Sequence, residues 1–397
     1  MKHLKRLFLC STMAILTGCI VPYEPRYGGE TTHVAVIEAM LLEAGDTYVK
    51  LSYVRPLASH EEGIPQVEPP VYADKVSVLC SDGTSIPLRL QQDTASGAYA
   101  YRPEGGIRFR EGASYAVDIL LDGKQYQSDF VTPLHTPEIG EVNYLLHDGG
   151  RKMDVRVSTR DPHQQALHYL WRYDEDWEVV TEYFASLRYD PELDRIIEGM
   201  TRETADNRYY CWGKERSKRF LLGTAENRLG GEIRNHTVLQ LEQSDMDSRF
   251  SYLYSILVRQ YAIPEEAYLY FEYMRKSVEE TNSVFSPIPA RMNGNIRCLS
   301  HPGEPVNGFF VATTESALRL YIDAGDVPSM KPQVSCFNIP EKYSASINPQ
   351  SLMALGLGLL RVDYPDAHIW KPIRCVDCTK HYLATKQKPS FWPNDHL

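Results

Sequence analysis

The sequence predicts a mostly β protein. An N-terminal Ig-like β-sandwich is expected over residues 31–134, followed by a larger β-rich domain over 135–397 with one amphipathic helix inserted near 264–280. Three observations carry this. Apolar residues alternate along short runs, as in Val49, Leu51 and Tyr53, in Val76, Val78 and Cys80, and in Tyr115, Val117, Ile119 and Leu121; that is the period of a half-buried strand. Asp82-Gly83 and Asp122-Gly123 stand between such runs, and a tight hairpin turn needs the positive φ these residues tolerate. The 397 residues are 43% hydrophobic and 24% charged, an ordinary globular balance that excludes a wholly disordered chain or a multi-pass membrane protein.

In chain order, the first element is an export signal over residues 1–18. Lys2, Lys5 and Arg6 precede the apolar run Leu7 to Leu16, which is too short to span a bilayer as a helix. Leu16-Thr17-Gly18-Cys19 then matches a bacterial lipobox, so Cys19 is the expected lipidation site. Several acyl chains on one residue give stable anchoring in the lipid bilayer, where one chain does not. Position 20 is Ile rather than the Asp of inner-membrane retention. An outer-membrane, lipid-anchored location is therefore expected, with the cell-surface face favoured over the periplasmic one. Residues 19–30, with Pro22, Pro25, Gly28 and Gly29, read as a flexible tether.

Within the sandwich, residues 55–72 carry four prolines and little periodicity, so they read as a long loop, and His60, Glu61 and Glu62 in it as solvated. Gly112-Ala113-Ser114-Tyr115 precedes a strand in the manner of a tyrosine corner. Pro133 and Pro137 mark the boundary. Beyond it, strands are expected at 141–147, 151–158, 166–173, 177–184, 208–221, 250–261, 306–313 and 317–322. Pro264, Glu265 and Glu266 suit the first turn of a helix, and Ala267, Phe271, Met274 and Val278 recur at helical spacing as a core-facing stripe.

Six cysteines remain after the signal and the lipobox: Cys80, Cys211, Cys298, Cys336, Cys375 and Cys378. An oxidising compartment permits disulfides. The expected bridges are Cys375 with Cys378, in a CxxC, and Cys298 with Cys336. No second CxxC supports zinc, and no βαβ context supports a thioredoxin-type motif.

The search for chemistry returns little. There is no G-x-S-x-G, H-E-x-x-H or Walker loop. Gly356-Leu357-Gly358 lacks the third glycine of a dinucleotide fingerprint. Asp174, Asp176 and Glu178 have calcium-loop spacing, but Val179 replaces the turn glycine, which leaves a solvated hairpin tip or a looser calcium site. No catalytic residue, metal or cofactor is expected. Trp171, Tyr173 and Trp177 cluster in a hairpin-like stretch from Tyr169 to Phe184, as sandwich core or as a platform for a ligand or partner. The 26 Tyr against 12 Phe and 5 Trp fit either reading. Asp93-Thr94-Ala95 is a weak match to an O-glycosylation tripeptide, with Thr94 as acceptor. A net charge of −10 argues against nucleic acid as a partner.

Several blocks then carry a resemblance. They are Tyr169-Leu170-Trp171 with Trp177-Glu178; the run Tyr254 to Tyr261 with Glu265-Glu266-Ala267-Tyr268; Gly294-Asn295-Ile296-Arg297-Cys298 with Glu304-Pro305-Val306-Asn307-Gly308-Phe309-Phe310; and Cys375-Val376-Asp377-Cys378 with Lys388-Pro389-Ser390-Phe391-Trp392. Together they resemble the domain-of-unknown-function family 4249, outer-membrane lipoproteins of the Bacteroidota. His381-Tyr382-Leu383-Ala384 departs from the Gly-Gly turn of many members. The resemblance supplies no catalytic residues. It implies gene neighbours encoding TonB-dependent receptors, and so an accessory lipoprotein that partners such a receptor and assists ligand capture or uptake. The alternative is a structural or assembly subunit of outer-membrane biogenesis or secretion machinery, or an adhesin.

Overall fold

The computed structural model describes residues 34–54, 69–93, 97–202, 207–226, 228–243, 248–280, 294–332, 336, 342–363 and 367–393. Cys19, the signal, the tether, Thr94 and His60 to Glu62 lie outside them.

The N-terminal strands build two facing sheets. One runs β19-β1-β2-β6-β5, from β1 (Ala35–Leu42), β2 (Tyr48–Tyr53), β5 (Arg89–Gln92), β6 (Tyr99–Arg102) and β19 (Val306–Thr313). The other runs β18-β8-β7-β3-β4, from β3 (Lys75–Cys80), β4 (Ser85–Pro87), β7 (Tyr115–Leu121), β8 (Lys124–Ser128) and β18 (Ile296–Cys298). Alternation places Ile37, Val49 and Phe310 of the first sheet against Val78, Val117 and Ile119 of the second in one core. The predicted turns form. Asp122 and Gly123 both adopt positive φ, 53° and 71°, and join β7 to β8 as a tight hairpin requires. The Tyr115 hydroxyl accepts the Arg110 backbone N–H at 2.8 Å, with Gly112 at φ 69°; this is the hydrogen bond expected of a tyrosine corner.

The expected end of the sandwich at residue 134 is corrected. β1 pairs in parallel with β19, from Ala35 opposite Val306 to Leu42 opposite Thr313. β8 pairs with β18. Both sheets therefore take an edge strand from residues 296–313, and Ala35–Leu397 form one compact unit. A parallel pair requires a long crossover, so β19 could not directly follow β1 in sequence. The family block around Gly294 and Gly308 makes this join. The Asn295 side chain donates to the Phe310 carbonyl at 2.9 Å and accepts the Phe310 N–H at 2.8 Å, in the manner of a strand. At Gly308, with φ 146°, a Cβ would sit 1.9 Å from the Ile37 carbonyl oxygen, so only glycine allows that backbone approach.

The later strands form a central antiparallel sheet, β20-β17-β11-β14-β24, from β11 (His168–Val180), β14 (Tyr210–Arg216), β17 (Leu253–Ile263), β20 (Glu315–Asp323) and β24 (Ala384–Thr385); β15 (Leu221–Thr224) also pairs with β11. A second sheet, β16-β10-β9, comprises β9 (Ile139–His147), β10 (Lys152–Arg160) and β16 (Glu232–Glu242). Met153, Val155 and Val157 of β10 pack with Tyr169, Trp171, Ile256 and Val258 of the central sheet. Asp161 starts the turn into β11: its carboxylate accepts backbone N–H groups of His163 at 3.0 Å, and of Gln165 and Ala166 at 2.7 Å. Burial pushes that carboxyl up, but the three N–H donors outweigh it and hold it below its ordinary value.

The expected helix forms as α1 (Glu265–Glu280), directly after Pro264. Ala267 and Phe271 are buried and Met274 partly so, against Met40, Leu42, Leu222, Ile263 and Phe309; the side chain of Val278 lies outside the description. The stripe is core packing that fills the space between sandwich and central sheet. Two short pieces complete the fold: the hairpin β12 (Leu187–Asp190) and β13 (Arg195–Glu198), and the sheet β21 (Lys342–Ser344), β23 (Ala367–Pro372) and β22 (Leu357–Asp363) with helix α2 (Pro349–Ala354). They share a core of Leu187, Tyr189, Leu352, Leu359 and Trp370. No helix among the described residues is long and apolar enough to cross a membrane.

Candidate functional site

The expected hairpin from Tyr169 to Phe184 is one continuous strand through Val180, at the centre of the sheet. This corrects the binding-platform reading of its aromatics. Trp171 and Trp177 are 0% and 1% exposed, and Tyr173 packs half-buried against the same core. The Trp171 indole N–H donates to Gln260 Oε1 at 2.9 Å, and that of Trp177 to Ser248 Oγ at 3.2 Å. Each ring lies over a glycine of a neighbouring strand. A Cβ on Gly213 would come within 2.1 Å of Trp177, and one on Gly223 within 2.6 Å of Trp171. The sequence signal was present at Gly213, inside the expected strand 208–221, where close approach is a standard reason for glycine; Gly223 lies beyond that expected strand.

The carboxylates of β11 are likewise interior rather than at a solvated tip, so the hairpin-tip reading is also corrected. Glu175, Asp176 and Glu178 are each at most 2% exposed. A central strand has neighbours on both sides, and each of these charges meets a partner. Glu175 takes Arg249 Nε at 2.9 Å and the Tyr254 hydroxyl at 2.8 Å; Arg249 also bonds Glu215 and covers the Trp177 ring at 4.5 Å. Asp176 meets Arg319 at 3.4 Å, and Glu178 accepts the Trp392 indole N–H at 2.8 Å. Asp174 bridges Arg259 and Arg216, and Arg216 continues to Asp93 of the sandwich at 2.6 Å. Burial pushes the Glu175 carboxyl up more than Arg249 and Tyr254 pull it down, and burial likewise raises Asp176 against Lys214 and Arg319. These two raised carboxyls are successive strand residues on opposite faces, each against its own arginine. They do not form the facing pair that acid–base hydrolysis needs.

The disulfide pairing is corrected. Cys375 bonds Cys336, and Cys378 bonds Cys211, while Cys298 and Cys80 are free and buried. Cys375 and Cys378 lie in separate 3-10 turns, with Asp377 extended between them and capping the second through Thr379 N at 2.9 Å. The CxxC thus sends its two thiols to different walls. One staples the C-terminal segment to β14 of the central sheet, the other to residue 336.

Cys298 joins a different group. Its Sγ, an imidazole nitrogen of His301 and a carboxylate oxygen of Glu304 all lie within 4.8 Å of one another, with Cys298 buried, Glu304 half-buried and His301 exposed. The spacing Cys-x2-His-x2-Glu was legible, but assigning Cys298 to a disulfide hid it. Glu304 Oε1 accepts both Lys124 Nζ at 2.8 Å and the Tyr126 hydroxyl at 3.1 Å.

One cluster of partly accessible aromatics lies at the end of the central sheet. Arg202 stacks over Tyr209 at 4.7 Å and Phe184 at 5.8 Å, Tyr209 meets Tyr210 edge-on at 4.7 Å, and Tyr252, 45% exposed, lies in electrostatic reach of Tyr209. They come from the ends of β11, β14 and β17, which sequence distance separates and sheet order reunites.

No curated protein matches the chain. A family match does exist, and it spans residues 20–319, three quarters of the sequence. It takes in the sandwich with both borrowed edge strands, the tryptophan strand β11 with its glycine neighbours, and the Gly294–Phe310 join. With that coverage, the chain belongs to the family described as domain of unknown function DUF4249.

Proposed function

We propose that this protein is a lipid-anchored accessory protein of the outer membrane that associates with a TonB-dependent receptor and assists ligand capture or uptake. The observation that carries the reading is the lipobox Leu16-Thr17-Gly18-Cys19 at the head of a chain of this family, whose match begins at residue 20. Two interlocking disulfides support residence in an oxidising compartment. Anchoring in the same membrane raises effective concentration, so a modest contact patch suffices for association. Phe184, Arg202, Tyr209, Tyr210 and Tyr252 have the Tyr and Arg chemistry enriched at interface centres and are the patch we assign to that contact.

The test is a mild-detergent pull-down of the full-length protein, read by mass spectrometry, in wild type and in an Arg202→Ala, Tyr252→Ala variant. A TonB-dependent receptor in near-equal amount, lost in the variant, supports the reading. Assembly-machine barrels in the eluate favour the biogenesis or secretion alternative, and an empty eluate with intact protein sinks the association. Metabolic labelling with palmitate tests the anchor separately: incorporation is expected in wild type and absent in Cys19→Ala.

A further inference from the structure

We propose that Cys298, His301 and Glu304 form a zinc site on the outer edge of the sandwich. The donors come from one short, well-braced segment. Cys298 ends β18 opposite Tyr126 of β8. The chain then stays pinned to β8 through Leu299 N to the Gln125 carbonyl at 2.7 Å and Ser300 Oγ accepting from Gln125 N at 3.0 Å. It turns at Pro302-Gly303, closed by Glu304 N to the His301 carbonyl at 2.9 Å. That turn brings the carboxylate back beside the thiol it left six residues earlier.

The donor set is specific. Thiolate, imidazole and carboxylate together suit Zn2+; calcium and magnesium take oxygen ligands, and Cu(I) prefers soft donors throughout. The donor atoms lie within 4.8 Å of one another. Around a tetrahedral zinc, with bonds of about 2.0–2.3 Å, they would be about 3.5 Å apart. The closure needed is about 1 Å, and the exposed His301 ring is free to supply it. Three protein ligands leave the fourth position for water or an incoming group, which is the open form of a zinc centre.

The surroundings fit. Glu304 holds Lys124 and Tyr126 on one oxygen only, Oε1. The Tyr126 hydrogen bond orients its carboxylate in the way outer partners orient metal ligands, and among the described residues no hydrogen bond occupies Oε2. The Lys124 side chain is 36% exposed, so its ammonium group can move toward solvent as the ion enters. Among the described residues, the one hydrogen-bond contact of Cys298 Sγ is Ser300 Oγ at 3.5 Å. Cys80, the other free thiol among the described residues, is also buried; it lies on β3 of the same sheet with β8 and β7 intervening, and is the natural control.

The experiment titrates Co2+ into the full-length protein in detergent, freshly purified without metal, and follows absorption. One equivalent giving a thiolate-to-cobalt charge-transfer band, displaced by Zn2+, is expected. The band should vanish in Cys298→Ser, persist in Cys80→Ser, and need at least about tenfold more Co2+ in His301→Ala, since even outer-shell losses cost that much. His301 is exposed, so that variant folds even if Cys298→Ser does not. No charge-transfer band in wild type, a band that survives Cys298→Ser, or unchanged affinity in His301→Ala overturns the site.

Discussion

Replacing Cys211 and Cys378 together by alanine removes the longer of the two bridges. Its worth follows from the chain it closes. A loop of 167 residues lowers unfolded-state entropy enough to stabilise the fold by about 5 kcal/mol at 25 °C, and the 39-residue loop of Cys336–Cys375 by about 4 kcal/mol. A local Cys375–Cys378 bridge would contribute only about 2 kcal/mol. The two bridges share the CxxC, so they are not independent. With Cys336–Cys375 intact, the shortest covalent path between Cys211 and Cys378 is still about 130 residues, which keeps the estimate near 5 kcal/mol. Urea unfolding followed by tryptophan fluorescence reads this directly, because Trp171, Trp177 and Trp370 are all at most 1% exposed. The variant should lose about 3–5 kcal/mol, and its m-value should rise because the unfolded chain expands. Cys336→Ala with Cys375→Ala should lose about 1 kcal/mol less. A loss below about 2 kcal/mol with unchanged m, or a non-reducing peptide map linking Cys375 to Cys378, would refute the reasoning.

Three further outcomes are expected. Gly213→Ala should lower stability by about 1–3 kcal/mol or more in the same assay, because its Cβ meets the immobile Trp177 ring; an unchanged midpoint would mean the ring has room to move. Arg249→Met should cost about 3–5 kcal/mol by leaving Glu175 buried without its cation, whereas Glu175→Gln should cost less than half as much, since burial already disfavours that carboxylate; equal losses would contradict the asymmetry. Asp161→Asn should cost about 1–3 kcal/mol at neutral pH. The folded carboxyl of Asp161 lies below its ordinary value, so its contribution is full above the unfolded value of about 4 and fades as pH falls through the folded one. The gap between variant and wild type should therefore narrow as pH falls below about 4, and a gap constant from pH 7 to 2 would remove the carboxylate from the account.

What was legible in the sequence was local. Alternation located β2, β3, β7, β9, β10, β17, β19 and β20, and Asp122-Gly123 fixed a turn, because side-chain period and backbone φ depend on neighbouring residues. Partners were not legible. Nothing near Ala35 says that its strand lies beside Val306, and nothing in a CxxC says that its thiols part company. Polarity misled at Asp174 to Glu178, where charged residues read as a turn. Their arginines sit on β14, β17 and β20 or on the segment just before β17, and only sheet order brings them into line. The candidate zinc donors were three residues apart and were missed for a different reason: Cys298 had been given to a bridge.

The parallel pairing of β1 with β19 also bears on how the chain is made. Synthesis delivers the N-terminal strands first, and at residue 134 both sheets of the sandwich still lack a border strand. Open borders of this kind recruit whatever extended backbone is nearby. The nascent, incomplete sandwich therefore has to be shielded until residues 296–313 arrive, and a fragment cut at 134 would be sticky rather than autonomous. The same vacancy is a socket. A synthetic peptide spanning 294–313, added in trans, has the two strands and the Gly294-Asn295 clasp needed to fill both borders at once, which is donor-strand complementation with the donor supplied by the protein's own later sequence.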